Sequence, residues 1–302
     1  MFKGNLKQIG MAAGLSLTLI AAGCGSDDAS SDGGSESIGE QLDYEITAIE
    51  AGAGVVKAAE KAVSADGYDL SEWEVATSSS GAMTQELENA YKDEEPIIVT
   101  GWSPHWKFSK YELEYLEDPE KVFGAEEQIK TMARQGLEED MPNAYTILDQ
   151  FAWTTEDMEA VMLERQEGTE IEEAAKNWVS DNEEEVAKWT EGAEEVDGKS
   201  IELVYVNWDS EIASTNVIKE VLTQQGFEVE ITALDNAGQW EAVSSGQADA
   251  MVGAWLPGTH GDLYEEHKES LADLGANLEG AKIGLVVPSY MDISSIEDLK
   301  SE

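Results

Sequence analysis

Two segments of the chain repeat one pattern, and that repetition constrains the fold more than any other feature. The first is Pro96-Ile97-Ile98-Val99-Thr100-Gly101-Trp102-Ser103-Pro104-His105, the second Ala248-Asp249-Ala250-Met251-Val252-Gly253-Ala254-Trp255-Leu256-Pro257-Gly258-Thr259-His260. Each is an apolar run of strand length that stops at a Trp-x-Pro turn. The likeness continues upstream. The first copy reads as a strand over 44–49, a turn at 51–54, a helix over 55–63, a strand around Trp73-Glu74-Val75 and a helix over 83–91. The second reads as a strand over 201–206, a turn at 207–210, a helix over 212–225, a strand over 227–232 and a helix over 240–245. Ile46 and Val75 are 29 residues apart, Leu203 and Val229 are 26 apart; Val75 to Trp102 is 27 and Val229 to Trp255 is 26. Strands alternating with helices predict an α/β fold with parallel strands and right-handed crossovers. Two such copies predict two α/β lobes joined by a hinge. Their ligand cleft lies at the carboxyl ends of the strands, where the Trp-x-Pro turns fall.

The N-terminus reads as a lipoprotein signal peptide over 1–23. Lys3 and Lys7 precede an apolar run that ends in small residues and is shorter than the roughly 20 residues that span a bilayer. Ala21-Ala22-Gly23-Cys24 resembles a bacterial lipobox, with Ala21 where Leu is usual, and predicts lipidation of Cys24. Cys24 is the sole cysteine, so no disulfide forms within the chain. Residues 24–40, rich in Ser, Gly and Asp, read as a flexible acidic tether. Residues 41–302 are long enough for two lobes with real cores. Lobe one is expected at 41–125 plus 288–302 and lobe two at 135–285, with hinges near 127–132 and Val287. Helices are expected at 128–137, 142–150 and 170–189. Thr154 is the expected cap of another, stapled by Trp153 and Met158. Trp178 and Trp189 are read as core. Lys282-Ile283-Gly284-Leu285-Val286-Val287-Pro288 reads as a strand leaving the second lobe, and Ser294 as the cap of a last short helix.

The chain carries 64 acidic and 18 basic residues, a formal charge of −46. Such a field excludes nucleic acid as a partner. Nine tryptophans and 41% hydrophobic residues argue for a packed core rather than disorder. An acidic surface of this density suits a high-salt medium, where counterions screen self-repulsion within roughly 3 Å at 1 M.

Trp102, Trp208 and Trp255 all fall at strand ends that face the expected cleft. Small residues precede two of them, in Thr100-Gly101-Trp102 and Gly253-Ala254-Trp255, which reads as space in front of the rings. Indole faces attract cations, and a cage of them suits a quaternary ammonium, which has no N–H to donate. At about 0.5–2 kcal/mol per ring, three rings supply roughly 2–6 kcal/mol, while micromolar binding needs about 8. Another group must therefore hold the far end of the ligand. The turn Gly52-Ala53-Gly54-Val55 opens a helix, whose free N–H groups bind carboxylates, and His260 is placed to donate to the same group. His105 and Trp106 are read as supports of their turn and His267 as a solvated helix residue. No His pair or thiol cluster suggests a metal, and there is no Gly-x-Ser-x-Gly elbow or phosphate loop. Neither catalytic residues nor a cofactor are expected.

Three segments carry a specific resemblance: Thr100-Gly101-Trp102-Ser103-Pro104-His105-Trp106, Tyr205-Val206-Asn207-Trp208-Asp209-Ser210-Glu211-Ile212-Ala213-Ser214-Thr215 and Ala254-Trp255-Leu256-Pro257-Gly258-Thr259-His260. Over about 41–302 the chain resembles the glycine betaine and proline betaine substrate-binding lipoproteins of bacterial osmoprotectant ABC importers. The resemblance implies a periplasmic-binding-protein-like fold. It implies that Trp102, Trp208 and Trp255 enclose the trimethylammonium, and that Gly54, Val55 and His260 hold the carboxylate. The implied partners are a small zwitterion (glycine betaine or proline betaine), an ABC permease and its ATPase, and the membrane through a lipid anchor on the extracellular or periplasmic face. A monomer is expected. A betaine-sensing receptor and, more remotely, a betaine-modifying enzyme are the alternative readings.

Overall fold

The computed structural model describes residues 37–300. The signal segment, Cys24 and the tether up to Glu36 lie outside the described residues. Residues 37–300 form an α/β structure, as the alternation predicts. A helical turn α1 (Ile38–Gln41), capped by Ser37, precedes β1 (Glu45–Ala48), α2 (Gly54–Val63), β2 (Glu74–Thr77), α3 (Ser80–Asp93) and β3 (Val99–Ser103). A short α4 (Lys107–Lys110) leads to β4 (Leu113–Tyr115) and β5 (Glu127–Arg134). Five helices follow: α5 (Leu137–Asp140), α6 (Pro142–Gln150), α7 (Thr155–Gln166), α8 (Ile171–Asp181) and α9 (Glu183–Trp189). The second copy comprises β6 (Lys199–Val206), α10 (Asp209–Gln224), β7 (Phe227–Leu234), α11 (Asn236–Ser244) and β8 (Ala250–Leu256). α12 (Gly261–His267) and the long β9 (Leu271–Pro288) complete the chain, with a closing 3-10 turn over Ile296–Leu299.

The two copies build the same sheet. β1 lies between β2 and β3, parallel to both, with Ile46 opposite Val75 and Thr47 opposite Val99. β6 lies likewise between β7 and β8, with Leu203 opposite both Ile231 and Ala250. Each Trp-bearing strand has an antiparallel neighbour on its other side. Trp102 of β3 is opposite Ile283 of β9, and Trp255 of β8 is opposite Ile129 of β5. β9 serves both halves. Its residues 271–281 pair with β5 and its residues 282–286 with β3. One continuous strand therefore carries the chain from one Trp-ended sheet to the other.

The segment 128–137 is not a helix. Residues 127–134 are strand β5, held between β8 and β9, and Glu127, Ile129, Thr131 and Ala133 alternate inward. That period of two is the strand signal, and helix-forming Gln, Lys and Arg on the alternate positions mask it. The expected helix over 170–189 is divided at Asn182, whose side-chain amide donates to the Trp178 carbonyl at 2.8 Å and ends α8. The last cap is Ser295 rather than Ser294, paired with Asp298. Thr154 does cap α7, in a reciprocal pair with Asp157, and both Trp153 and Met158 are buried beside it. Trp178 and Trp189 stack at 5.5 Å and 11° inside the core, as core residues should.

Candidate functional site

The three tryptophans of the sequence pattern meet at one small cavity of about 20 Å³. Trp102 reaches it from the end of β3, Trp255 from the end of β8, and Trp208 from the turn between β6 and α10. Ile283 of β9, Thr259, Ala53, Gly54 and Val55 complete the wall. All three indoles are nearly buried, at 5%, 6% and 2% exposure, so their faces are dry. A dry aromatic face holds a cation more strongly than a wet one.

The start of α2 forms one side of this cavity. Ala53, its N-cap, offers no side-chain oxygen, and the first N–H of the helix with a partner is that of Val56. The N–H groups of Gly54 and Val55 are thus open donors at the positive end of a helix dipole. Gly54 is required by its surroundings. A Cβ there would lie 2.8 Å from the Cα of Thr259 and 2.7 Å from its carbonyl oxygen. Glu127, buried at the start of β5, holds that same loop by accepting from the Thr259 hydroxyl at 2.7 Å and from its N–H.

His260 lies one layer behind the wall. Its ring stacks on Trp208 at 5.8 Å and 16°, and its Nδ1 accepts the Trp255 N–H at 3.0 Å. Burial, reinforced by Lys57, pushes its pKa down to about 3. At neutral pH it is therefore an uncharged imidazole with its proton on Nε2, and that Nε2–H is buried with no protein partner.

The other histidine of the repeat is differently engaged. His105 Nδ1 accepts the Lys107 N–H at 3.1 Å, and Nε2 lies 3.4 Å from the Asp209 carboxylate. Burial, then the nearby Lys107, hold its pKa at about 4 against the pull of Asp209. Burial alone would raise the Asp209 carboxyl, but His105, Arg165 and Lys107 outweigh it and keep the group at about 2. Arg165 donates to Asp209 at 2.6 Å. Glu211, fully enclosed, accepts the Val206 N–H at 2.7 Å, and burial pushes its carboxyl up to about 8. The Trp208 indole N–H donates to the carboxylate of Glu50, a contact between the two copies.

Each sequence-derived candidate within the described residues lies at or directly behind this cavity. The reason offered for the small residues does not hold. Gly101 makes room for Val286, and Gly253 for the Glu211 carboxyl. Neighbours along a strand face opposite sides, so Gly101 and Ala254 cannot clear the space in front of the rings that follow them. Ile283, Thr259, Glu50, Glu127 and Lys107 were not singled out. Of these, Lys107 carried a signal: a lysine inside an aromatic motif of a strongly acidic chain. A second, open groove of about 700 Å³ adjoins the cage at Ala53, lined by Glu50, Lys57, Ser80, Asn207, Asp235 and neighbours. It has no indole wall.

The family described as "Substrate binding domain of ABC-type glycine betaine transport system" matches residues 27–181 and 199–302. The chain is 50% identical over 298 residues to the glycine betaine/carnitine transport binding protein GbuC of Listeria monocytogenes serotype 1/2a (strain 10403S), covering 98% of this chain and 99% of that one. Among solved structures it is similar to lactococcal OpuAC in its closed-liganded conformation complexed with glycine betaine, with 47% identity, a TM-score of 0.44 and coverage of 49% of this chain and 57% of that chain. It is also similar to the glycine/betaine/L-proline-binding protein ProX of Borrelia burgdorferi, with 30% identity, a TM-score of 0.44 and coverage of 50% and 57%.

Proposed function

The chain belongs to the substrate-binding family of ABC-type glycine betaine transport systems, and from that premise we propose that it captures glycine betaine by holding its two ends with two different kinds of group. The protein is the substrate-binding component of a glycine betaine ABC importer and works on the outward face of the membrane. Trp102, Trp208 and Trp255 take the trimethylammonium. The N–H groups of Gly54 and Val55, with the Nε2–H of His260, take the carboxylate. The observation that carries the reading is the convergence of three buried indoles and an uncapped helix N-terminus on one small cavity. Proline betaine, with a similar spacing of charge, is the related substrate.

The Trp102 and Trp255 sheets are read as the two lobes, with β5 in the second and β9 crossing to the first at about residue 282 rather than near Val287, closing on the ligand and excluding water, which strengthens both contacts. Lipidation at Cys24 anchors a monomer that delivers ligand to a permease and its ATPase. The ligand leaves unchanged, so mass spectrometry after incubation must recover intact betaine. The described residues include no helix long and apolar enough to cross a membrane. The acidic surface is read as adaptation to salt, and a melting temperature that does not rise with NaCl removes that part.

Calorimetric titration separates the two ends. Glycine betaine is expected to bind at micromolar concentration or tighter, and choline, which has the onium group but no carboxylate, far more weakly. Equal affinities would discard the roles of Gly54, Val55 and His260.

A further inference from the structure

Lys107 is a fully enclosed amine beside the cage. Its Nζ makes one hydrogen bond, to the Trp102 carbonyl at 3.4 Å. Among the described residues no carboxylate oxygen lies within 4.0 Å of it. Its immediate surroundings are aromatic instead. Nζ is 4.4 Å from the centroid of the Trp102 ring and 5.0 Å from that of Phe108. Lys107 is not part of the cavity wall, so it meets the cage indole from outside the cavity.

We propose that Lys107 sets the affinity of the cage through Trp102: its ammonium and the ligand's onium group compete for the same ring, and betaine capture drives the Lys107 proton into solvent. The proposal rests on the reading that a betaine occupies the cage. An indole attracts a cation placed over it, but two cations held against one ring repel each other. At a separation of roughly 9 Å and an effective dielectric constant of about 20, repulsion from the onium group alone is worth about tenfold to twentyfold, and attraction to the more distant carboxylate returns part of it, leaving a weakening of about severalfold. The neutral amine exerts no such force.

The groups facing the amine leave its proton loosely held. Asp209 of α10, in the second copy, and Glu159 of α7, in the helices between the copies, face it, with Arg165 behind Asp209. His105 faces it from its own turn and is uncharged near neutrality. Burial brings the ammonium down to about 7, against the pull of Asp209 and Glu159. The quaternary ammonium of a betaine cannot titrate, and its carboxylate stays ionised near neutrality. Glu211 is the other group near the cage that titrates in this range, so the assignment needs a variant.

The test is calorimetric titration of the full chain with glycine betaine between about pH 6 and pH 9, each point in two buffers of different ionisation enthalpy. The proposal predicts net proton release on binding near neutrality and an affinity that rises about severalfold across the range. Lys107→Met, which keeps the apolar stem, is expected to remove most of the release and flatten the affinity profile. Lys107→Gln serves the same purpose if the Met variant does not fold. Wild-type binding without proton release overturns the proposal. So does an unchanged release in the Lys107 variants, which would assign the proton to Glu211. No binding of betaine at all overturns instead the function proposed above.

Discussion

The turns 102–107 and 255–260 start from the same local chemistry and end in different electrostatics. Both follow a buried strand, both place a Trp two residues before a cis proline, and both carry a buried histidine whose Nδ1 accepts a backbone N–H. In the first turn His105 Nε2 faces Asp209, and a lysine occupies the far side of the Trp. In the second, His260 Nε2 has no protein partner and its ring lies between Trp208 and Trp240. The repeat thus supplies two equivalent scaffolds. Neither Nε2 makes a hydrogen bond within the protein, but one histidine faces a charge cluster between the copies and the other faces aromatic rings. Position in a repeat gives a side chain its place, while the partners brought by the other half give it its role.

Removing the indoles tests this asymmetry most severely. Trp255→Ala is expected to weaken betaine binding at least tenfold, since about 1.4 kcal/mol is one decade. Trp102→Ala is expected to weaken it less, because Lys107 already engages that ring. Titration calorimetry on both variants decides, and equal losses would mean the two turns are equivalent after all. Next in size, Gly54→Ala forces Thr259 away from the helix that would hold the carboxylate. We expect about a tenfold loss for glycine betaine and little change for choline, measured in the same way. His260→Ala is expected to weaken binding only severalfold, because the α2 donors remain. His105→Ala should leave affinity nearly unchanged while lowering the melting temperature. If His105→Ala abolished binding and His260→Ala did not, the roles would be reversed.

The smallest effects are on stability against pH, and their signs differ. Both histidines bind protons less readily in the fold, at about 4 and about 3, than at their ordinary 6.5. The unfolded chain therefore gains protons first, and stability falls as pH drops below 6.5. Glu211 is the opposite case. Its folded carboxyl keeps its proton to about 8 against an ordinary 4.5, so stability falls as pH rises through that window. Glu211→Gln should remove that alkaline loss and leave the acid side unchanged, as thermal melts across pH would record.

Much of this was legible in the sequence because it is local. The strand-helix alternation, the spacing of the two copies and the Trp-x-Pro ends are set by residues near one another in the chain, and they placed Trp102, Trp208 and Trp255 at one cleft. β5 was not legible in the same way. It belongs to neither copy and is a strand because β8 and β9 flank it, partners more than 100 residues downstream. The His105-Asp209-Arg165 cluster and the Glu50-Trp208 contact were hidden for the same reason. In a chain with 64 carboxylates no spacing rule singles out Asp209, Glu211 or Glu127. Only burial does, and burial is a property of the assembled fold.

A crystal structure of the chain with glycine betaine would show which groups hold each end of the ligand. The account predicts the three methyl groups against the faces of Trp102, Trp208 and Trp255, with the carboxylate at the N–H groups of Gly54 and Val55. Betaine bound in the wider groove beside Lys57 and Ser80, with the indoles untouched, would contradict it.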